Sequence, residues 1–183
     1  IQKLATECEQ NADIVVNDFF NYQAIQNACH KRFQIITMIS CFYDLEDPNQ
    51  VLEDVVKLLD NNGIFIIQQN YLVGMLQQNA FDNIVHEHLE YFSLFSLESL
   101  LGRHGLEVFN VELNDINGGS FRTFIAKKGV KKIADSVPAL RLAELAIKLN
   151  KLDTYKNFAD RIEDIAAELY TLVTSLVEDG KSV

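Results

Sequence analysis

Apolar and polar positions along the chain alternate between short β-branched runs and amphipathic stretches. "IQKLATECEQ" sets Leu4 and Cys8 one turn apart and predicts a helix over the first ten residues. "ADIVVNDFF" predicts a buried strand ending near Asn17 and Asp18, and "NYQAIQNAC" a helix. "FQIITMIS" (33–40) is a second β-branched strand. "EDPNQVLEDVVKLLDNNG" carries the clearest helical signature, with Asp47 placed to cap, Pro48 at N1, and Val51, Leu52, Val55, Leu58 and Leu59 on one face. Gly63 is expected at the left-handed position that ends that helix. "GIFIIQQ" predicts a third buried strand. Strands apolar on both faces and joined through helices imply a parallel α/β sheet.

Further on, "SLESLLGRHG" (96–105) predicts a helix capped by Ser96, with Glu98 in its first turn and Gly105 just past its end. "LEVFNVEL" and "SFRTFIAKK" alternate about the turn-rich "NDINGG" and predict an antiparallel pair. From Val137 to Asp179 the pattern is helical, and "TYKNFADRIEDIAAELYTLVTSLVEDG" is long, amphipathic and free of glycine before its end. There is no internal repeat.

Composition narrows the partners. The 183 residues allow one sizeable core, or one core with an appendage. A formal charge of −10 argues against nucleic acid and anionic membrane, which both reward clustered Lys and Arg. No run reaches the roughly 18 apolar residues of a membrane helix. Cys8, Cys29 and Cys41 form no CxxC pair and read as reduced thiols of an intracellular, cytoplasmic protein. The sequence starts at Ile1 and stops within "EDGKSV", so it reads as a piece of a longer chain. All eight glycines lie at position 63 or later, so no GxGxxG loop can follow the first predicted strand. In a nucleotide-type α/β domain, that loop and its strand are expected upstream of Ile1.

Open α/β sheets bind ligands beyond the carboxyl ends of their parallel strands. "NDFF", "SCFYDLED", the excursion from Gln68 through "VHEHLEYFS", and "NDINGGS" are all expected there. The His-Glu-His motif has three readings. If extended, His86 and His88 share a face and could bind metal, but no third ligand is evident. One histidine could instead act as general base or acid, with Glu87 orienting it or a substrate hydroxyl. Or all three are polar groups tying down a long loop. Phe92 and Phe95 are expected in the core, and Tyr91 fits either role. Arg122 is a surface residue by default, yet beside Gly118, Gly119 and Ser120 it could bind an anion. Asp18 is a turn residue or an acceptor for an adenine amino group, and Glu46 and Asp47 read as a helix cap.

The string "FDNIVHEHLEYFSLFSLESLLGRHGLEVFNVELNDINGGSFRTFIAKKG" resembles the catalytic domain of the S-adenosylmethionine-dependent sugar C-methyltransferases. The combination of HEHxxYFS, a helix ending RHG, and NGGSxR carries the resemblance, which extends over most of residues 13 to 128. It implies an α/β fold: the second half of a class I, Rossmann-like methyltransferase sheet with an antiparallel last strand over 1–128. A helical segment over 129–183 would then lead toward a C-terminal domain. It implies S-adenosylmethionine as cofactor and a nucleotide-diphosphate sugar as substrate. Glu87 and His88 match the family's sugar-site glutamate and its proposed base. His86, Tyr91, Gly119, Ser120 and Arg122 fall on the substrate side, and Asp18, Phe19 and Ser40 on the cofactor side. No metal site is implied in this part of the chain. Val85 stands where the family often has tyrosine. Two alternatives stay open: a methyltransferase for another small-molecule acceptor, and a non-catalytic scaffold that forms a homodimer through the 152–179 helix.

Overall fold

The fold, a computed structural model describing residues 7–183, is organised around one strand paired on both sides. β1 (Phe33–Ile39) runs parallel to β2 (Leu59–Asn70), and β2 pairs on its other side with β4 (Ser120–Lys127), antiparallel. β3 (Leu106–Asn114) pairs antiparallel with β4, giving the order β1-β2-β4-β3. The parallel pair and the hairpin are as the apolar patterning predicts. The carboxyl ends of β1, β2 and β3 therefore share one edge, together with the β3–β4 turn.

α1 (Tyr22–Ala28) is capped by Asn21, and α2 (Pro48–Leu58) by Asp47 with Pro48 opening the helix. α3 (Leu72–Gln78) follows β2 at once, and Asn79 ends it in the left-handed region at φ 55°. α4 (Leu94–Arg103) is followed by Gly105 at φ 68°. α5 (Ser136–Ile147) and α6 (Leu152–Glu178) divide the predicted C-terminal helix at Lys148, φ 59°. The core lies between one sheet face and the helices: Phe42, Phe65, Leu94, Leu97, Leu101 and Phe121 are fully buried.

Several expectations are corrected. The 13–19 segment is not a strand: Ile14 and Val16 stay exposed, and among the described residues β1 has no neighbour on its outer edge. Without a partner ladder a β-branched run has no reason to settle as a strand. Of the first predicted helix, Leu4 lies outside the described residues, while Asn11 closes a turn onto Cys8 (2.9 Å).

Gly63 does not end α2. The helix stops at Leu58, and Leu59, already extended and fully buried, enters β2 opposite Phe33. The "DNNG" residues form an irregularity between the Phe33–Leu59 and Ile35–Ile64 pairings. Glycine is needed there for space, since a Cβ at position 63 would meet Leu59 Cδ1 at 2.8 Å and the Phe33 oxygen at 3.0 Å. Ser96 is not the cap of α4 either. Ser93 is, and it exchanges reciprocal hydrogen bonds with Ser96 at N3. Phe92 is in the core, as expected, but Phe95 is 73% exposed, because the earlier cap turns it outward.

Asp54 ties α1 to α2. Its carboxylate accepts from the Tyr22 amide (2.9 Å), Lys57 Nζ (2.9 Å) and Gln50 Nε2 (3.4 Å). Burial works against the charged form, but Lys57 and the Tyr22 amide outweigh it and hold the carboxyl below its ordinary value. A carboxyl lowered in the folded state stabilises above its unfolded pKa of ~3.9, and that contribution is lost as pH falls through the folded value. Asp54→Ala is expected to lower stability by about 1–3 kcal/mol at pH 7. In urea unfolding, its difference from the wild type should shrink below pH ~4.

Candidate active site

The excursion between β2 and α4, residues 71–93, carries the His-Glu-His motif. The motif is not extended. The His88 amide donates to the Val85 carbonyl at 3.1 Å, so 85–88 is a turn with His86 and Glu87 at its corners. Their side chains are 91% and 74% exposed and lie 3.7 Å apart. The shared metal-binding face that an extended motif would give His86 and His88 is therefore not formed.

His88 turns the other way. Half-buried, its ring stands edge-on to Tyr43, with centroids 4.6 Å apart. Its Nδ1 lies 2.9 Å from the Asn83 carbonyl oxygen. A carbonyl only accepts, so Nδ1 carries the proton and donates it, leaving the lone pair of the neutral ring on Nε2. The Tyr91 hydroxyl donates to the same oxygen at 3.3 Å. Asn83 is itself tied to the end of β2, its Oδ1 accepting from Asn70 Nδ2 at 2.6 Å. Tyr43 holds the motif's far side, because its carbonyl accepts the Leu89 and Glu90 amides at 3.1 and 3.0 Å. A small pocket is enclosed between Tyr43, Asn70, Tyr71, Met75, His88 and Tyr91.

Charge around His88 is arranged by the turn after β1. Burial pushes the Asp44 carboxyl up, His88 pulls it down and Glu87 adds to the rise. The Tyr43 hydroxyl is raised by burial and by Asp44, with a hydrogen bond from Ser40 working the other way. Ser40, left-handed at φ 54°, gives its amide to the Gln68 carbonyl at 2.8 Å. It therefore stands at the carboxyl end of β1 beside the His88–Tyr43 pair.

The remaining candidates are placed differently. Gly119, at φ 120°, faces Gly74 of α3, and its carbonyl accepts the Tyr71 amide at 3.1 Å. Ser120 is buried, with Oγ donating to the Ile116 carbonyl at 2.7 Å. Both seat α3 on the β3–β4 turn. Arg122 donates Nε to Gln68 Oε1 at 2.8 Å and Nη1 to Glu112 at 3.4 Å, with its side chain 40% exposed. Asp18 Oδ1 accepts its neighbour's amide at 2.8 Å, and the Phe19 ring is 88% exposed. These two sit just before α1, and among the described residues no hydrogen bond joins them to the His88 cluster. Sequence reasoning missed Tyr43, Asn70 and Asn83. "SCFYDLED" marked the place of Tyr43 but not the residue, and Asn83 acts through a backbone carbonyl that no pattern flags.

The mixed α/β sheet with its parallel pair agrees with what family comparison finds. Residues 4–111 match the methyltransferase domain model and residues 115–183 the C-methyltransferase C-terminal domain, the boundary falling at the carboxyl end of β3. The chain belongs to the methyltransferase domain family. It is similar to the C-methyltransferase NovU of Streptomyces niveus, 39% identical over 144 residues, 78% of this chain and 34% of that protein. The chain thus spans about a third of that relative's length. Among solved structures, a complex between the Haloferax volcanii Trm112 methyltransferase activator and a methyltransferase gives a TM-score of 0.49 at 12% identity, over 68% of each chain. Magnesium protoporphyrin IX methyltransferase from Synechocystis PCC 6803 gives 0.48 at 10% identity, over 69% of this chain and 61% of that one.

Gly119→Ala is expected to cost about 1–3 kcal/mol, because alanine is strained at this φ. Its Cβ would also press on Gln78 Nε2 at 3.3 Å. Urea unfolding of the variant should show the loss, and an unchanged midpoint would remove Gly119 from the seat of α3.

Proposed function

We propose that this chain is part of a C-methyltransferase that uses S-adenosylmethionine to methylate a nucleotide-linked keto-deoxysugar, with His88 as the base. The observation that carries the reading is the orientation of His88: Nδ1 donates to the Asn83 carbonyl at 2.9 Å, which leaves Nε2 as the proton acceptor. Similarity to a C-methyltransferase and the HEHxxYFS and NGGSxR strings support the reaction and the substrate class.

The residues present suit the adenine end of the cofactor. The Phe19 ring is open to stack on a flat base, and Asp18 is a carboxylate beside it that uses one oxygen in its own turn. No glycine precedes Gly63, so residues 1–62 hold no glycine-rich turn for the rest of that molecule. S-adenosylmethionine, when bound, supplies an electrophilic methyl group. Nε2 of His88 takes the proton from the substrate carbon beside the keto group and leaves that carbon an electron pair; the bound cofactor would supply the methyl group for the new carbon–carbon bond, its sulfur–methyl bond breaking and a neutral sulfide leaving. In the imidazolium that results, Nδ1–H keeps its bond to Asn83, and Asp44 provides nearby negative charge. To Glu87 and His86, exposed at the turn, we assign contacts with a substrate hydroxyl, and to Arg122 contacts with the diphosphate.

His88→Ala in the full-length protein is expected to lower turnover by about 10²–10⁴-fold. S-adenosylhomocysteine binding, measured by calorimetry, should not change. Turnover at the wild-type level would remove His88 as the base.

A second reading, self-association, is favoured by one feature of α6. Ile165, Leu169 and Leu172 recur at heptad spacing and remain about half exposed. Sedimentation across a range of concentrations should then show a rising mass that Leu169→Glu abolishes; a constant monomer mass would exclude it.

A further inference from the structure

The excursion that carries His88 is closed by a residue far away in sequence. Glu144, on α5, is 4% exposed, and all three of its hydrogen bonds go to the two ends of this segment. Its Oε1 accepts from the Tyr71 hydroxyl (2.9 Å) and the Leu94 amide (2.6 Å), and its Oε2 from the Phe95 amide (2.9 Å). Tyr71 is the first residue of the excursion, and Leu94 and Phe95 are the first two of the helix that receives it. One carboxylate therefore joins the start and finish of a segment of more than 20 residues, neutralising two orphan amides at a helix N-terminus as it does so. The Leu72 amide, donating to the Phe92 carbonyl at 3.0 Å, closes the same stem beside it.

The stem bears directly on His88. Asn70, next to Tyr71, holds the side chain of Asn83, and Tyr91, next to Phe92, donates to the Asn83 carbonyl. The oxygen that sets the His88 tautomer is thus fixed from both sides of the stem. Tyr71 also lines the pocket that His88 faces. From the far side, Arg161 of α6 grips the other end of α3 through the Leu76 carbonyl (2.7 Å) and Asn79 Oδ1 (2.8 Å).

We infer that Glu144 is a positioning residue, which acts through Tyr71 and the α4 N-terminus to hold Asn83 where it fixes His88 with its proton on Nδ1. The inference rests on the reading of His88 as base for its functional meaning. It also makes α5 a working part of the site rather than a connection leading away from it.

The test reads the His88 ring itself. In ¹⁵N-histidine-labelled protein with the rings neutral, ring nitrogen shifts report where the proton sits. Wild-type His88 is expected as the Nδ1–H form. Glu144→Gln puts an NH2 group against amides that need an acceptor, and should lower the ratio of Nδ1–H to Nε2–H by roughly fivefold, a factor worth one net hydrogen bond. Glu98→Gln removes the charge from the ion pair between Glu98 of α4 and Arg141 of α5, the helix that carries Glu144, and should leave the ratio unchanged. A Glu144→Gln protein that melts earlier but keeps the wild-type ratio would show a purely structural role and overturn the inference. So would an equal shift in Glu98→Gln. If Glu144→Gln does not fold, Tyr71→Phe removes only one of the three bonds: a smaller shift in the same direction supports the inference and none overturns it. A wild-type ring protonated on Nε2 overturns the inference and withdraws the tautomer argument for His88. If the ratio behaves as expected while His88→Ala keeps full turnover, only the base reading fails.

Discussion

β2 is hydrogen-bonded along both edges, parallel to β1 and antiparallel to β4, and most of the molecule's geometry follows from that double pairing. Phe65 and Ile67, fully buried on one face of β2, are each worth about 1.5–3 kcal/mol in apolar burial and fix its register against the helices. Once the register is fixed, Asn70 stands opposite Ser120, and Ser120 opposite Asn114. The β3–β4 turn is thereby brought under α3, close enough for Gly119 to meet Gly74 backbone to backbone. The excursion that begins at Tyr71 has no freedom to start anywhere else.

At the carboxyl end of β2 the burial of polar groups becomes costly, and the structure handles it in two ways. Glu144 is fully matched, a buried carboxylate facing three donors. Gln69 is not: its side chain is 1% exposed, and neither amide atom has a protein partner. A buried unpaired polar group costs about 1–3 kcal/mol, so an apolar residue at position 69 would favour folding. The strand gives up stability where it enters the candidate site, while its middle is purely apolar. Departures of this kind gather where a chain is shaped by something other than stability.

The elements that could be read from the sequence are those whose partners are local or periodic. The helix Pro48–Leu58 carries its own cap and N1 proline, and the β3–β4 hairpin its own turn. Misread segments depended on what lay across from them. "ADIVV" has strand composition but, among the described residues, no neighbouring strand, and "DNNG" is a turn string overridden because Leu59 pairs with Phe33. Ser93 and Ser96 both suit a cap, and only the buried amides of Leu94 and Phe95, held by Glu144, decide between them. α3 was missed because "YLVGML" carries no side-chain cap, and the packing of its glycine on Gly119 is a tertiary fact. For the site, position at the strand ends was legible. Which of two histidines turns inward was not, since that follows from a single turn hydrogen bond at Val85.

The identity of the group facing Nδ1 matters for the chemistry. A water or a hydroxyl beside Nδ1 could donate or accept, and would leave both tautomers of a neutral imidazole open. A backbone carbonyl has no proton to give, so only one tautomer satisfies it, and the ring returns to that tautomer whenever Nε2 gives up a proton. A side-chain acceptor could leave by rotating about its own bonds. The Asn83 carbonyl can move only if the chain moves, and the chain at Asn83 is bound to β2 through Asn70 and is met from the α4 side by Tyr91. The acceptor that faces His88 is therefore a backbone group, tied to the sheet edge through the Asn70 side chain and to the α4 side through Tyr91.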